Sequence, residues 1–199
     1  MGIPSGVNKT QPMAASGVDA IRALYDDHSP SLYAYLARRV GRDVGEDLLA
    51  ETFRAAIESY PTFDAARGSE RGWLFGIATN LLRRHWRTER RRLLALERSN
   101  STNATMIDPL LGIADGVANR VDAENDAARL LEAVVELPAE DRDLLILSGW
   151  EHLNSTEIGQ ALDIAAATVR SRLRRIRADL QTHIDSFQDS TKSATGAPQ

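Results

Sequence analysis

The sequence contains no cysteine. This excludes disulfides, thiolate zinc sites and a thiol redox switch within the chain. It also has no run of about 18 apolar residues, so no transmembrane helix is expected. The opening stretch, MGIPSGVNKTQPMAASG, lacks an apolar core of signal-peptide length. It begins Met-Gly, but Gly6 stands where a myristoylation pattern needs Ser or Thr. These absences lead to the expectation of a cytoplasmic protein with no membrane insertion. No histidine has a glutamate three residues before it. The positions preceding His28, His85, His152 and His183 by three are Tyr25, Leu82, Gly149 and Leu180, so a di-metal carboxylate bundle lacks its ligands. There is no P-loop and no nucleophile elbow. No catalytic residue, metal site or cofactor is expected, and the chain reads as a non-enzyme. It shows no β alternation and no internal repeat. Lysine is nearly absent, since only Lys9 and Lys192 accompany 22 arginines.

The arginines are segregated. The net charge is −4, but residues 67–98 hold nine Arg against three acids and residues 166–180 hold five Arg against one. Between them, residues 101–165 hold thirteen acids against three Arg. Global acidity argues against a nucleic-acid partner, whereas the two basic patches are what a phosphate backbone would meet.

The more C-terminal patch belongs to a stretch that reads as a helix-turn-helix. Asn154 and Glu157 have capping-box spacing, and Ile158, Ala161 and Leu162 form an apolar stripe. Asp163 suits the left-handed conformation of a turn, and Ile164 plugs it. A second helix then buries Val169, Leu173, Ile176 and Leu180. Its other faces carry Thr168, Arg170, Ser171, Arg172, Arg174, Arg175 and Arg177. A helix with a small-residue start and five arginines fits a major groove and its phosphates. A solvated basic face on an ordinary amphipathic helix is the alternative.

The rest of the chain reads as all-α: two small helical domains joined by a flexible linker. Residues 1–17 are expected to be unstructured. A domain over 18–98 begins with a helix interrupted or kinked at Ser29-Pro30. A second helix runs from about Val44 to Tyr60. Its acids Glu46, Asp47, Glu51 and Glu58 read either as charges favoured by the helix dipole or as a protein-docking face. After a polar loop, Thr62 to Arg71, a third helix runs from near Gly72 to about Leu96. Trp73 reads as core or as a base-stacking residue, and Asn80 as a base-edge or a core hydrogen-bonding group. Arg83, Arg84, Arg87, Arg90, Arg91 and Arg92 exceed what helix capping needs, and their mutual repulsion favours an anionic partner; a solvated basic helix end is the alternative. Residues 99–125 lose periodicity and read as the linker. A second domain over 126–186 holds the helix-turn-helix, and 187–199 reads as a frayed tail.

Both halves resemble one family, the bacterial extracytoplasmic-function (ECF) sigma factors. DVGEDLLAETFRAAIESYPTFD, Asp43 to Asp64, is similar to the family's helix for binding core polymerase. RGWLFGIATNLLRRHWRTERRR, Arg71 to Arg92, is similar to its promoter −10 recognition and melting helix. Leu137 to Leu180 resembles the domain that reads the −35 element. The sequence departs from the family pattern at Ala50, where Gln is usual, and at Arg84, where Asp is frequent. Gly is usual at Asp163, and Pro or a similar residue at Ala165.

The resemblance implies that Glu46, Asp47, Leu48, Glu51 and Phe53 bind core RNA polymerase. It implies that Trp73, Asn80, Arg83, Arg84, Arg87, Arg90 and Arg91 meet −10 promoter DNA, with a base extruded into the loop before that helix. Thr168, Arg170, Ser171, Arg172, Arg174 and Arg175 would meet the −35 element, some on phosphates and some on bases. The implied function is promoter-selective transcription initiation, with an anti-sigma factor as a further partner. A stand-alone helix-turn-helix regulator explains residues 154–180 equally well, but leaves the first arginine-rich helix and the acidic helix unexplained.

Overall fold

A computed structural model describes residues 12–66, 68–99 and 133–195. Every regular element among them is helical. The first unit is built from α1 (Pro12–Val40), α2 (Arg42–Ser59), a 3-10 turn at Tyr60–Thr62 and α3 (Glu70–Ser99). The second is built from α4 (Ala139–Gly149), α5 (Ser155–Leu162) and α6 (Ala166–Thr195), preceded by helical backbone at 133–136. The expected linker beyond Ser99, and the start of the second domain expected from residue 126, lie outside the described residues.

Three boundaries differ from the sequence reading. The helix expected to restart at Pro30 is continuous, with Pro30 inside it. A proline inside a helix removes one backbone hydrogen bond and costs ~3 kcal/mol. Burial offsets that cost here: Leu24 precedes the proline, Leu32, Tyr35 and Leu36 follow it, and all four are in the core. The other two differences are at the ends. The backbone is already helical from Pro12 and stays helical to Thr195, so parts of the expected unstructured start and tail are helix.

The first unit closes its core with Leu48, Phe53 and Ala56 of α2 and Leu74, Phe75, Ala78 and Leu82 of α3 against α1. The helices approach closely where side chains are small. A Cβ on Gly45 would stand 2.9 Å from Ala37 Cα. Tyr35 is fully buried, exchanges a 3.0 Å hydrogen bond with Thr79 Oγ1, and meets the edge of Phe75. Burial pushes its hydroxyl up to about 12, helped by the nearby Asp143 and Glu151 carboxylates and opposed by Arg39.

The second unit forms the expected helix-turn-helix. Asn154 Oδ1 accepts from the backbone N–H groups of Thr156 and Glu157, and the Glu157 carboxylate accepts from the Asn154 N–H. This reciprocal pairing satisfies donors that a helix start leaves open. Asp163 takes the left-handed conformation at φ 55°. The Ile164 N–H returns to the Gly159 carbonyl, and a Cβ on Gly159 would lie 2.6 Å from the Ile164 carbonyl oxygen. Glycine at 159 is therefore what lets the turn fold back on α5. Val169, Leu173 and Ile176 of α6 are buried against Leu144, Leu147 and Ile158.

The two units touch. α3 packs along α5, where a Cβ on Gly76 would stand 3.2 Å from Ala161 Cα and one on Gly72 3.0 Å from Glu157 Cα. Ser69 Oγ donates to Glu157 at 3.1 Å across this seam.

Candidate nucleic-acid and polymerase interface

The faces of α2 divide the residues expected to bind polymerase. Leu48 and Phe53 are buried, and Phe53 packs on the Tyr25 ring at 4.8 Å. They support the helix from beneath and are not themselves offered to a partner. α2 exposes Glu46, Asp47, Arg54, Glu58 and the apolar Ile57 as well as Arg42, Asp43 and Ala50, with Glu51 half-buried. Arg54 bridges Glu51 at 3.4 Å and Glu58 at 3.1 Å. This surface is acidic, with an apolar centre.

On α3 the chemistry changes along the helix. At its start, Trp73 is half-buried and packs on Phe63 at 4.9 Å and Tyr60 at 6.1 Å. The three rings border the loop that leads into α3. Trp73 thus combines a structural contact with partial exposure, a position from which a ring can also stack on a base. Asn80 is exposed, which removes its reading as a core hydrogen-bonding group. Arg84, Arg87 and Arg90 are exposed and have no ion pair among the described residues. Arg91 is exposed and donates through Nε to the Arg87 carbonyl, while Arg92 bridges Glu89. Arg83 stands apart: its Nε donates to Asp143 of α4 at 2.9 Å.

α6 also sorts its polar residues. Thr168, Arg170 and Arg174 are exposed. Ser171 is exposed, but its hydroxyl donates to the Thr168 carbonyl. Arg172, expected at the −35 groove, is turned inward. It reaches Asp141 at 2.6 Å and Glu140 at 3.4 Å. Arg175 reaches Asp141 at 3.4 Å while remaining largely exposed. Arg172 therefore anchors α6 to α4, and the outward reading surface reduces to Thr168, Arg170 and Arg174, with Arg175 at its margin.

Sequence reasoning missed Arg38, Arg39 and Arg71. Arg39 is buried, reaches Asp143 at 3.0 Å and lies over the Tyr35 ring. Arg38 pairs with Glu151, and Arg71 donates to the Glu151 carbonyl while covering the Phe75 ring. Burial raises the Glu151 carboxyl above the usual carboxylate range, with Arg38 and Arg71 opposing the shift. The available signal was the Arg38-Arg39 doublet at the end of an apolar helix, where a basic last turn reads simply as a response to the helix dipole.

An arginine-rich three-helix unit followed by a helix-turn-helix unit is the architecture of a two-module transcription protein. The Sigma-70 region 2 model matches residues 24–92, and the Sigma-70 region 4 model matches residues 127–180. The RNA polymerase sigma factor HrpL of Pseudomonas syringae pv. syringae is 31% identical over 179 residues, spanning 89% of this chain and 94% of HrpL. The ECF RNA polymerase sigma factor SigL of Mycobacterium tuberculosis is 29% identical over 173 residues, spanning 84% of this chain and 93% of SigL. Among solved structures, CnrH in complex with the cytosolic domain of CnrY aligns with a TM-score of 0.55 at 23% identity, covering 87% of this chain and 94% of that one. The sigma factor RpoE of Bartonella quintana, in complex with the anti-sigma factor NepR, aligns at 0.53 and 21% identity, covering 84% and 96%. These two structural likenesses concern the fold.

The chain belongs to the ECF RNA polymerase sigma factor family. It acts with core RNA polymerase on promoter DNA, and the match of its first unit to region 2 favours this over a stand-alone helix-turn-helix regulator.

Proposed function

We propose that residues 18–98 form the module that binds core polymerase and the −10 element, that 99–125 link the modules, and that 126–186 read the −35 element. Core polymerase meets Glu46, Asp47, Glu51 and the exposed Ile57, held in place by Leu48 and Phe53. Trp73, Asn80, Arg84, Arg87, Arg90 and Arg91 face −10 DNA, with Arg83 available once released from Asp143. Thr168, Arg170 and Arg174 face the −35 groove, with Ser171 and Arg175 beside them. The observation that carries this reading is the pair of separate, outward arginine faces, Arg84/Arg87/Arg90 and Arg170/Arg174, with no ion pair among the described residues. A duplex supplies phosphates for both, and a bidentate arginine–guanine pair discriminates by ~1–3 kcal/mol.

The protein supplies specificity and no chemistry of its own, and it works in the cytoplasm with polymerase. Among the described residues no helix is long and apolar enough to cross a membrane, and no group of acids and histidines is placed to hold a metal. Run-off transcription with purified core polymerase on a genomic promoter library tests the reading. Stimulation at a subset of promoters is expected, and its absence on every promoter refutes the reading. CnrH was solved with the cytosolic domain of CnrY and the Bartonella sigma factor with the anti-sigma factor NepR, and we propose an anti-sigma factor for this chain too. Purification from native cells should recover it; finding only free protein and holoenzyme counts against it.

A further inference from the structure

Two neighbouring acids of α4 hold arginines from the two helices assigned to different promoter elements. Asp141 holds Arg172 of α6, and Asp143 holds Arg83 of α3. Residues two apart on a helix are separated by ~3 Å along its axis. The −35-reading and −10-reading helices are therefore tied to opposite faces of the same turn of α4. The two elements, by their names, lie about 25 base pairs apart, or ~85 Å along a duplex at 3.4 Å per step. The arrangement seen here cannot meet both. The 33 residues between Ser99 and Ala133 have a contour length of ~110 Å at 3.3–3.6 Å per residue, so the chain is long enough to let the modules part.

What closes the seam is charge. Four arginines of the first unit, Arg38 and Arg39 from α1 and Arg71 and Arg83 from α3, converge on Asp143, Glu151 and the Glu151 carbonyl of the second. Both carboxylates are buried by this contact. The closure is imperfect in one respect: Arg39 is only 8% exposed, yet its Nε and Nη1 find no acceptor among the described residues. A buried guanidinium short of acceptors is costly, and a group with more oxygens than one shared carboxylate would satisfy it better.

We propose that Arg38, Arg39, Arg71 and Arg83 form a phosphate-binding basin, that Asp143 and Glu151 occupy it as an internal substitute for the promoter strand, and that DNA binding opens the molecule by displacing them. This rests on the reading of the chain as a sigma factor. The ligand is the phosphodiester backbone of single-stranded DNA beside the −10 face, because Arg83 shares α3 with Arg84 and Arg87. In the closed state the basin is filled, and the apparent affinity for DNA is reduced by the fraction of molecules that are open.

The absence of cysteine allows a direct test on the full chain. Ala23→Cys on α1 and Ala178→Cys on α6 are both at exposed positions and accept spin labels or a dye pair. The doubly labelled chain, otherwise wild type, should show one distance that shifts by roughly 20 Å or more when a mixed-sequence single-stranded oligodeoxynucleotide is added. Asp143→Asn with Glu151→Gln should be open without DNA and bind the oligonucleotide on the order of tenfold tighter. Adding Arg39→Ala and Arg83→Ala to that variant should abolish the gain. It should also lower the slope of log affinity against log salt by ~1.4, since each lost phosphate contact on a single strand accounts for ~0.7. A distance in this labelled chain that stays unchanged at saturating oligonucleotide overturns the proposal, whether or not the variants fold. A gain that survives loss of Arg39 and Arg83 overturns the basin. No polymerase is present, so failure here is distinct from failure to initiate transcription, which bears on the sigma-factor reading alone.

Discussion

Arg172→Ala should destabilise the second unit, whereas Arg170→Ala two residues earlier should not. Arg172 donates from Nε to Asp141 at 2.9 Å and approaches it with Nη2 at 2.6 Å, while the Asp141 side chain is only 7% exposed. Removing one partner of a buried ion pair costs ~3–5 kcal/mol, because the remaining charge is left without compensation. Two features reduce that figure here. Arg175 stays within 3.4 Å of the same carboxylate. Asp141 also lies in the first turn of α4, where the helix dipole favours a negative charge by ~0.3–1 kcal/mol. A loss of ~2 kcal/mol remains, which for a unit of 60–100 residues lowers Tm by roughly 10 °C. Arg170 is exposed with no side-chain partner among the described residues, so its removal should stay within ~0.5 kcal/mol of wild type while weakening promoter-specific initiation. Thermal unfolding followed by circular dichroism, paired with run-off transcription, separates the two. If Arg172→Ala melts with wild type and only transcription falls, Arg172 is a DNA reader and the anchoring argument is wrong. Replacing both partners, Arg172→Met with Asp141→Leu, should recover most of the lost stability, since a well-packed apolar pair commonly matches a buried ionic one.

Other outcomes follow from the same geometry. Phe53→Ala should cost ~3–5 kcal/mol in unfolding experiments, as expected for a buried aromatic, whereas Ile57→Asp should leave stability near wild type and weaken binding to core polymerase in a pull-down. Asn154→Ala should lower stability by ~1 kcal/mol through loss of the reciprocal cap, read as a shift in the urea midpoint. Tyr35 is held above its usual range, to about 12, so the folded state keeps a proton that the unfolded state loses near pH 10. Its contribution is therefore intact below pH 10 and lost as pH rises from 10 toward 12. Tyr35→Phe should remove that part of the alkaline destabilisation, measured by urea unfolding across the interval.

The helix-turn-helix was legible because its determinants are local. A cap pair three residues apart, an Asx residue in the turn and a buried 169/173/176 register all lie within one short stretch and obey helical spacing. The all-helical class was legible for the same reason. The failures concern contacts between residues far apart in sequence. The α6 periodicity separates buried from exposed positions, but nothing in it says that Arg172, on the polar side, meets an aspartate 31 residues earlier. Leu48 and Phe53 were grouped with Glu46 and Glu51 as one motif, yet a motif in sequence covers both faces of a helix, and only packing assigns them. Pro30 was read by its local cost alone, and the burial of Leu24, Leu32, Tyr35 and Leu36 that outweighs it exists only once α1 packs on α2 and α3.

The acidity of the middle of the chain also takes a different meaning from the one composition gave it. Read as composition, thirteen acids over residues 101–165 argue against nucleic acid. In the fold, Glu140, Asp141, Asp143 and Glu151 among them are counter-charges for arginines. Asp141 fixes a helix within its own unit, and Asp143 and Glu151 hold arginines of the other unit. An anchor inside one unit should persist through any movement of the modules. Pairs that bridge the units need only last until a stronger polyanion competes for the same guanidinium groups. The division between Asp141 and Asp143, two positions apart on α4, therefore marks where the permanent part of the structure ends and the exchangeable part begins. The same carboxylate chemistry serves both, and what distinguishes them is whether the arginine partner travels with α4 when the modules separate.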